Sequence, residues 1–422
     1  MQTIKMRSKN QTELLSEIRS LTQYGRIVPY DFCGDTKLFI NDARLTNWML
    51  SNTEKRANAF TPVIEKVTGQ GLLTNRDLEL WKNRRLTIQR LLAPSNISQY
   101  EKRLIQRTQL VYKDWNQGQR VGMKEVVNDL TLDNLASVVI GGDFGDFRNN
   151  IKTTLALMVE SMDDAVSKIV NEEKLEKLDH FVSLLESYVA TISEQKSESP
   201  SEKEYIIDAL LRAKKTSKKE FVDPWVRDEI ITLMMAGFDT TSFLIGIAIF
   251  HVSQNQEIKD RLTAEVREAE KNPQNSFIES TPYLRMITSE ALRMYPSAPF
   301  IGRFAHESKE IDGFVIEKDT DMMMSPWVTQ MDEEYFPDPF VFNPERFSPD
   351  NRENIVKGSY FPFSMGPRIC PGNHFAMQEA AIAIGLICAH VDFEYELEQP
   401  KIDCPVTLRF ADPLFAKVAK IE

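Results

Sequence analysis

Apolar residues recur at three- and four-residue intervals over most of the chain, a spacing that predicts helices as the dominant elements. The stretch Ile4 to Val121 mixes short helical and extended patterns, with Gly69-Gln70-Gly71 marking a turn before an amphipathic helix over Asp77 to Leu92. From Met123 to about Ile192 the pattern predicts successive helices separated by polar turns. The strongest single pattern opens at Asp223-Pro224, an N-cap residue followed by proline at the first helical position, and stays apolar to about Val252. A helix of that length spans about 45 Å. Its all-round apolarity predicts burial on every side. Another helix is expected from about Tyr283 to Met294, ending before Pro296 because the residue preceding a proline avoids the helical region.

The period then changes. Asp312-Gly313 lies between Lys309-Glu310-Ile311 and Phe314-Val315-Ile316, the signal of a tight hairpin. Pro337, Pro339 and Pro344 mark an irregular stretch, a last helix runs from near Gly372 to about His390, and Val406 to Val418 alternates weakly, as short strands do. The expected fold class is mainly α with small β-sheets.

Composition narrows the function. With 422 residues, 42% of them apolar, the chain can bury a large core, and the polar stretches Ser197 to Lys203 and Lys214 to Lys219 are short enough for surface loops. We read residues 1–422 as one domain without a fixed-period repeat. The formal net charge of −11 opposes binding to nucleic acid or to an anionic membrane surface. Met1 to Ser20 has neither the apolar core of a signal peptide nor a spanning helix, so we expect a soluble, cytoplasmic protein without a membrane anchor. The four cysteines, Cys33, Cys370, Cys388 and Cys404, form no CxxC pair, which disfavours a zinc site and a disulfide framework.

Cys370 stands apart through its neighbours. Phe363-Ser364-Met365-Gly366-Pro367-Arg368-Ile369-Cys370-Pro371-Gly372 sets a thiol just before a helix start, where the positive helix end and backbone N–H groups stabilise a thiolate and suit it to bind a metal. A buried thiol in a helix-capping loop is the bland alternative. The segment fills every fixed position of the haem-binding loop of the cytochromes P450, so the chain resembles that family, in its soluble, bacterial-type, unfused form. The likeness continues through Phe375, Ala376 and Glu379. Ala236-Gly237-Phe238-Asp239-Thr240-Thr241 in the long helix resembles the family's oxygen-activating signature, Glu290 and Arg293 its Glu-x-x-Arg motif, Pro344-Glu345-Arg346-Phe347 the segment adding a second arginine, and Trp81 with Arg85 its Trp-x-x-x-Arg helix.

The resemblance implies the P450 fold, with haem b between the long central helix and the helix after the cysteine loop, and Cys370 as the iron's axial ligand. Trp81, Arg85, Arg303, Phe363, Arg368 and Gly372 would bind the cofactor, the arginines as donors to buried carboxylates. Arg303 rests on its position after the Glu-x-x-Arg helix more than on a motif. Glu290, Arg293 and Arg346 read as a structural network. Asp239 and Thr240 would be catalytic, moving protons to bound oxygen. Their alternative is structural, Thr240 bonding back to the preceding turn and Asp239 pairing with a base. One departure stands out: where many members carry a His-Arg pair before an Asp, this chain has Gln330-Met331 before Asp332.

The implied activity is insertion of one oxygen atom from O2 into a hydrophobic small molecule, by hydroxylation or epoxidation, in secondary or lipid-like metabolism. Met234, Met235, Ala236, Ala298, Phe300 and Ile301, with a tail segment around Phe410 to Leu414, are expected to line the substrate pocket. That wall suits a fatty acid, terpenoid, polyketide or macrocycle, free or carrier-bound, although its methionines could equally be plain core. Electrons would come from a separate ferredoxin or flavodoxin with its reductase, docking on a basic face formed by Lys82, Arg84 and Arg90, which could also be an ordinary solvated face. Two rivals, a peroxide-driven peroxygenase and a non-catalytic haem-binding or docking protein, are each opposed by the retained Asp239-Thr240 pair.

Overall fold

The computed structural model describes the whole chain except residues 1–3, 6–10, 33–34, 53–60, 76, 167–169, 200–204, 217–223, 306, 312 and 422. Cys33, Asp223 and Asp312 therefore lie outside the described residues.

Ten helices organise the site: α1 (Leu78–Leu91), α2 (Glu101–Tyr112), α3 (Met123–Val139), α4 (Arg148–Val166), α5 (Glu172–Glu198), α6 (Trp225–Gly237), α7 (Asp239–Ser253), α8 (Gln256–Glu270), α9 (Pro282–Met294) and α10 (Asn373–His390). The Asp77 carboxylate caps α1 by accepting from the backbone N–H of Glu79 and Leu80, each at 3.0 Å. That bonded first turn fixes where the helix starts. Packing centres on α7 and α10: α7 lies against α3, α9 and α10, while α10 also touches α2 and α8. Both are apolar all round and buried almost throughout, which makes them the inner layer of the helical core.

The long apolar segment is two helices, not the single one its pattern predicts. It breaks at Phe238, between Gly237 and Asp239. Side-chain hydroxyls compete for the backbone here: Thr240 Oγ1 donates to Ala236 O at 2.9 Å and Ser242 Oγ to Asp239 O at 3.0 Å. Such competition, beside a glycine, bends a helix. At Gly237 an added Cβ would stand 3.1 Å from Leu135 Cδ1, so α3 approaches the bend closely. Among the described residues, Trp225–Ser253 is the one stretch long and apolar enough to cross a membrane, and in this structure it is packed within the protein core.

A five-stranded mixed sheet runs in the order Ile4–Lys5, Ile27–Phe32, Asp35–Ile40, Asp321–Met324, Ile301–Phe304. Its edge strand alternates, with Ile301 and Arg303 buried and Gly302 and Phe304 half-buried, so Arg303 points to the same inner face as Ile301. Val391–Tyr395, Phe415–Ile421 and Arg120–Gly122 form a three-stranded sheet, and Ile402–Asp403 pairs with Arg409–Phe410. The hairpin pairs Lys309 with Ile316 and Ile311 with Phe314. Gly313 sits at φ 80°, a left-handed turn position that favours glycine.

Candidate active site

The cysteine loop is bound into a fixed shape along its length. Phe361 N donates to Gln330 Oε1 at 2.9 Å, Ser364 N to Phe361 O at 2.9 Å, and Cys370 N to Phe363 O at 2.9 Å. Ser364 and Gly366 both take positive φ, 62° and 65°. At Gly366 an added Cβ would stand 2.2 Å from Leu50 O, so only glycine fits. The Cys370 side chain is exposed and Phe363 half-buried. Gly372 heads α10 at negative φ, and an added Cβ would lie 3.8 Å from Cys370 Sγ. The loop thus delivers a thiol, uncovered by protein, at the start of a long helix.

Three arginines from three elements converge on this loop. Arg85 of α1 donates from Nη2 to Ile369 O at 2.6 Å. Arg303 of the edge strand donates from Nη2 to Ser364 Oγ at 3.0 Å. Arg368, within the loop, stacks over Trp81 with its guanidinium carbon 3.6 Å from the ring centroid, and Arg85 lies 5.5 Å from the same ring. Arg85 and Arg303 are both buried. Burial lowers the Arg85 pKa, and the countercharge that opposes this is the Cys370 thiolate. Two buried cations beside one thiol form a donor set that suits a flat, iron-bearing ligand with anionic arms.

Asp239 and Thr240 are neighbours with different surroundings. Thr240 is half-buried and spends its proton on Ala236 O. Its own carbonyl accepts from Ser297 Oγ at 2.8 Å, which ties the bend to the segment after α9. The Asp239 carboxylate accepts from Thr407 Oγ1 at 3.0 Å. Burial pushes the Asp239 pKa up, while the Thr407 hydrogen bond and the charges of Arg409 and Lys124 pull it back. Of the two bonds weighed in the structural alternative, Thr240's bond to the preceding turn is present, while Asp239 is held by the Thr407 hydroxyl and not by a base. Asp239, Thr407, Arg409 and Lys124 line a cleft of about 190 Å³ together with Phe238 and Phe410.

Glu290 and Arg293 are fully buried and doubly bonded, at 2.7 and 2.8 Å. Arg346 Nε stands 3.4 Å from Glu290 Oε1, and Arg293 donates onward to Gln330 O and Pro339 O, both at 2.8 Å.

The expected substrate wall needs correction. Met234 and Met235 are buried in the helical core and Ile301 in the sheet core, so they offer almost no surface to a pocket. Phe300 is half-buried, and Phe410 and Leu414 are buried. Ala236 and Ala298 are exposed, Ala236 next to the buried Met235 and Ala298 between the buried Ser297 and Pro299, and the Ser297–Thr240 bond brings Ala298 to the bend. Arg84 also departs from expectation. It is buried, donates to Gln70 O at 2.5 Å and stacks on Trp225, so it forms no part of a docking face. Helical spacing could have flagged it, because Lys82, Leu86 and Arg90 share one exposed face and Arg84 points elsewhere. Ser297 and Thr407 carry no local sequence signal, and Gln330 shows in the sequence only as a departure from the family pattern.

The Cytochrome P450 family profile matches residues 3–413. The chain is 25% identical over 363 residues to a probable cytochrome P450 4aa1 of Drosophila melanogaster, covering 78% of this chain and 70% of that protein. It is 25% identical to a bifunctional cytochrome P450/NADPH–P450 reductase of Bacillus cereus over 94% of this chain and 39% of that protein. Against human cytochrome P450 4F12 it is 31% identical over 50% of this chain and 42% of that protein. The matched stretch spans less than half of the last two relatives. The profile covers nearly the whole sequence, and on that ground the chain belongs to the cytochrome P450 family, whose members are haem-thiolate monooxygenases that bind haem b.

Proposed function

We propose that the protein inserts one oxygen atom from O2 into a hydrophobic small molecule, by hydroxylation or epoxidation. The observation that carries this reading is the convergence of the buried Arg85 and Arg303 guanidiniums on the loop that exposes the Cys370 thiol, at the head of a helix packed against the one that carries Asp239 and Thr240. Haem would be held by the Cys370 thiolate and would supply an iron able to activate O2.

The remaining work falls to the chain's own residues. Cys370 would be held as a thiolate by its loop and by α10, and Arg85, Arg303 and Arg368 would receive the haem carboxylates. Trp81 backs Arg368 and fixes its plane. Thr240 would hold a proton at Oγ1, which it shares with Ala236 O in this structure. Asp239, raised by burial and already hydrogen-bonded by Thr407, can hold a proton and pass it inward. Ala236 and Ala298, small and uncovered, leave room for an apolar substrate beside the bend.

We propose further that electrons arrive from a separate ferredoxin- or flavodoxin-like protein on the stripe Lys82, Leu86, Arg90, exposed on one face of α1. The net charge of −11 favours an aqueous, cytoplasmic setting. The decisive test is the carbon monoxide difference spectrum of the reduced protein. A long-wavelength Soret band from thiolate-bound haem is expected, and a protein that takes up no haem, or gives only the blue-shifted neutral-thiol band, refutes the assignment.

A further inference from the structure

Gln330 sits where many members of the family carry His, and its side chain makes a bridge that the proposed mechanism does not use. The residue is fully buried. Its amide Nε2 donates to Leu292 O at 3.0 Å and to Arg293 O at 2.9 Å, two carbonyls in the last turn of α9. Those groups have no partner within their own helix. Its Oε1 accepts from Phe361 N at 2.9 Å, and its backbone oxygen accepts from Arg293 Nη1 at 2.8 Å. One carboxamide therefore uses both donors on one helix end and its acceptor on the first residue of the cysteine loop.

We propose that Gln330 is a positioning residue for Cys370, an inference that rests on the haem-thiolate reading. The path is short and continuous. Gln330 fixes Phe361 N, Phe361 O accepts from Ser364 N, and Phe363 O, two residues from the anchor, accepts from Cys370 N. Arg303 grips Ser364 and Arg85 grips Ile369, so the loop is pinned on the cofactor side by arginines and on the core side by Gln330. Losing the core-side pin leaves Phe361 N, in a buried residue, without its acceptor, and the loop must shift to find one. A shift there moves the backbone that aims the thiol. Asn carries the same carboxamide one methylene shorter, Leu covers none of the contacts, Glu keeps the acceptor and loses both donors, and His offers one donor and one acceptor.

The test uses haem-loaded protein and three variants, Gln330→Leu, Gln330→Glu and Gln330→His. Two quantities are measured on each: the thermal midpoint, and the rate at which the reduced carbon monoxide complex converts from the thiolate band to the neutral-thiol band well below that midpoint. Gln330→Leu is expected to convert about tenfold faster than native protein, equivalent to about 1.4 kcal/mol of ligation barrier. Gln330→Glu should be intermediate and Gln330→His nearest to native. Native conversion rates in variants that have only a lower midpoint would reduce Gln330 to ordinary packing and overturn the inference. Should Gln330→Leu fail to take up haem, the order of the Glu and His variants decides, and equal rates in both overturn it. A native protein without the thiolate band refutes the haem-thiolate reading itself, a result distinct from an unshifted variant series.

Discussion

Adjacent residues on a helix project about 100° apart, and at the bend this separates two chemistries. Asp239 looks into a polar cleft with Thr407, Lys124 and Arg409, whereas Thr240 lies on the turn with the uncovered Ala236. On the proposed reading, Asp239 would exchange protons with the cleft while Thr240 would hold a proton on the other side of the bend. Replacing Thr240 by Ala should leave haem uptake and the thiolate spectrum intact, yet send a several-fold larger share of electrons to hydrogen peroxide instead of product. Peroxide released per reducing equivalent measures this, and unchanged coupling would remove Thr240 from the chemistry. Glu379 of α10 raises a different question at the same scale. Its carboxyl oxygens are buried without a hydrogen bond, near the Asn134 amide, and burial pushes its pKa up to about 8. A raised pKa means the folded state prefers the protonated acid. The associated stability is present in full below the unfolded value of 4.5 and is lost as pH rises to about 8. Denaturant midpoints across that window should fall for native protein, by the equivalent of a few kcal/mol at most, and stay flatter for Glu379→Gln. Parallel curves would mean that Glu379 is not the titrating group.

Elements were legible from sequence where their causes are local. The start of α1 at Asp77, the halt of α9 before Pro296, the hairpin around Gly313 and the spacing of the cysteine loop all depend on residues a few positions apart. The break at Phe238 was hidden because apolar periodicity runs straight through it, and only the hydroxyl bonds of Thr240 and Ser242 reveal the bend. The partners of Gln330 and Thr407 were invisible for another reason: they lie 31 to 38 and 168 positions away. Burial of Met234 and Met235 likewise depends on neighbouring helices, which a one-dimensional pattern does not specify. Close helix packing gives its own prediction. At Gly385 of α10 an added Cβ would stand 2.6 Å from Leu284 Cδ2 and 3.3 Å from Val266 Cγ2. Gly385→Ala should therefore force α9 and α8 outward and cost about 1–3 kcal/mol in chemical denaturation. A neutral result would show that the Leu284 side chain yields freely.

Across the whole molecule, a net charge of −11 repels acidic proteins, so an acidic electron donor needs a local positive site to dock productively. The exposed face of α1 offers one. Lys82 and Arg90 flank the exposed Leu86, and the inner face of the same helix carries Trp81 and Arg85 at the cysteine loop. A donor seated there would be one helix thickness from the residues that face the cofactor, which makes the stripe useful for electron transfer as well as for adhesion. Rim charges act mainly on association rate and are screened by salt over about 10 Å at 0.1 M. The double variant Lys82→Glu, Arg90→Glu should thus slow reduction by an acidic ferredoxin or flavodoxin about tenfold at low ionic strength. The two proteins should converge as salt is raised, with the carbon monoxide spectrum unchanged throughout. Stopped-flow reduction across a salt series separates the possibilities. A deficit that persists at high salt would indicate damage to α1 itself, and equal rates at low salt would place the donor on another face of the protein.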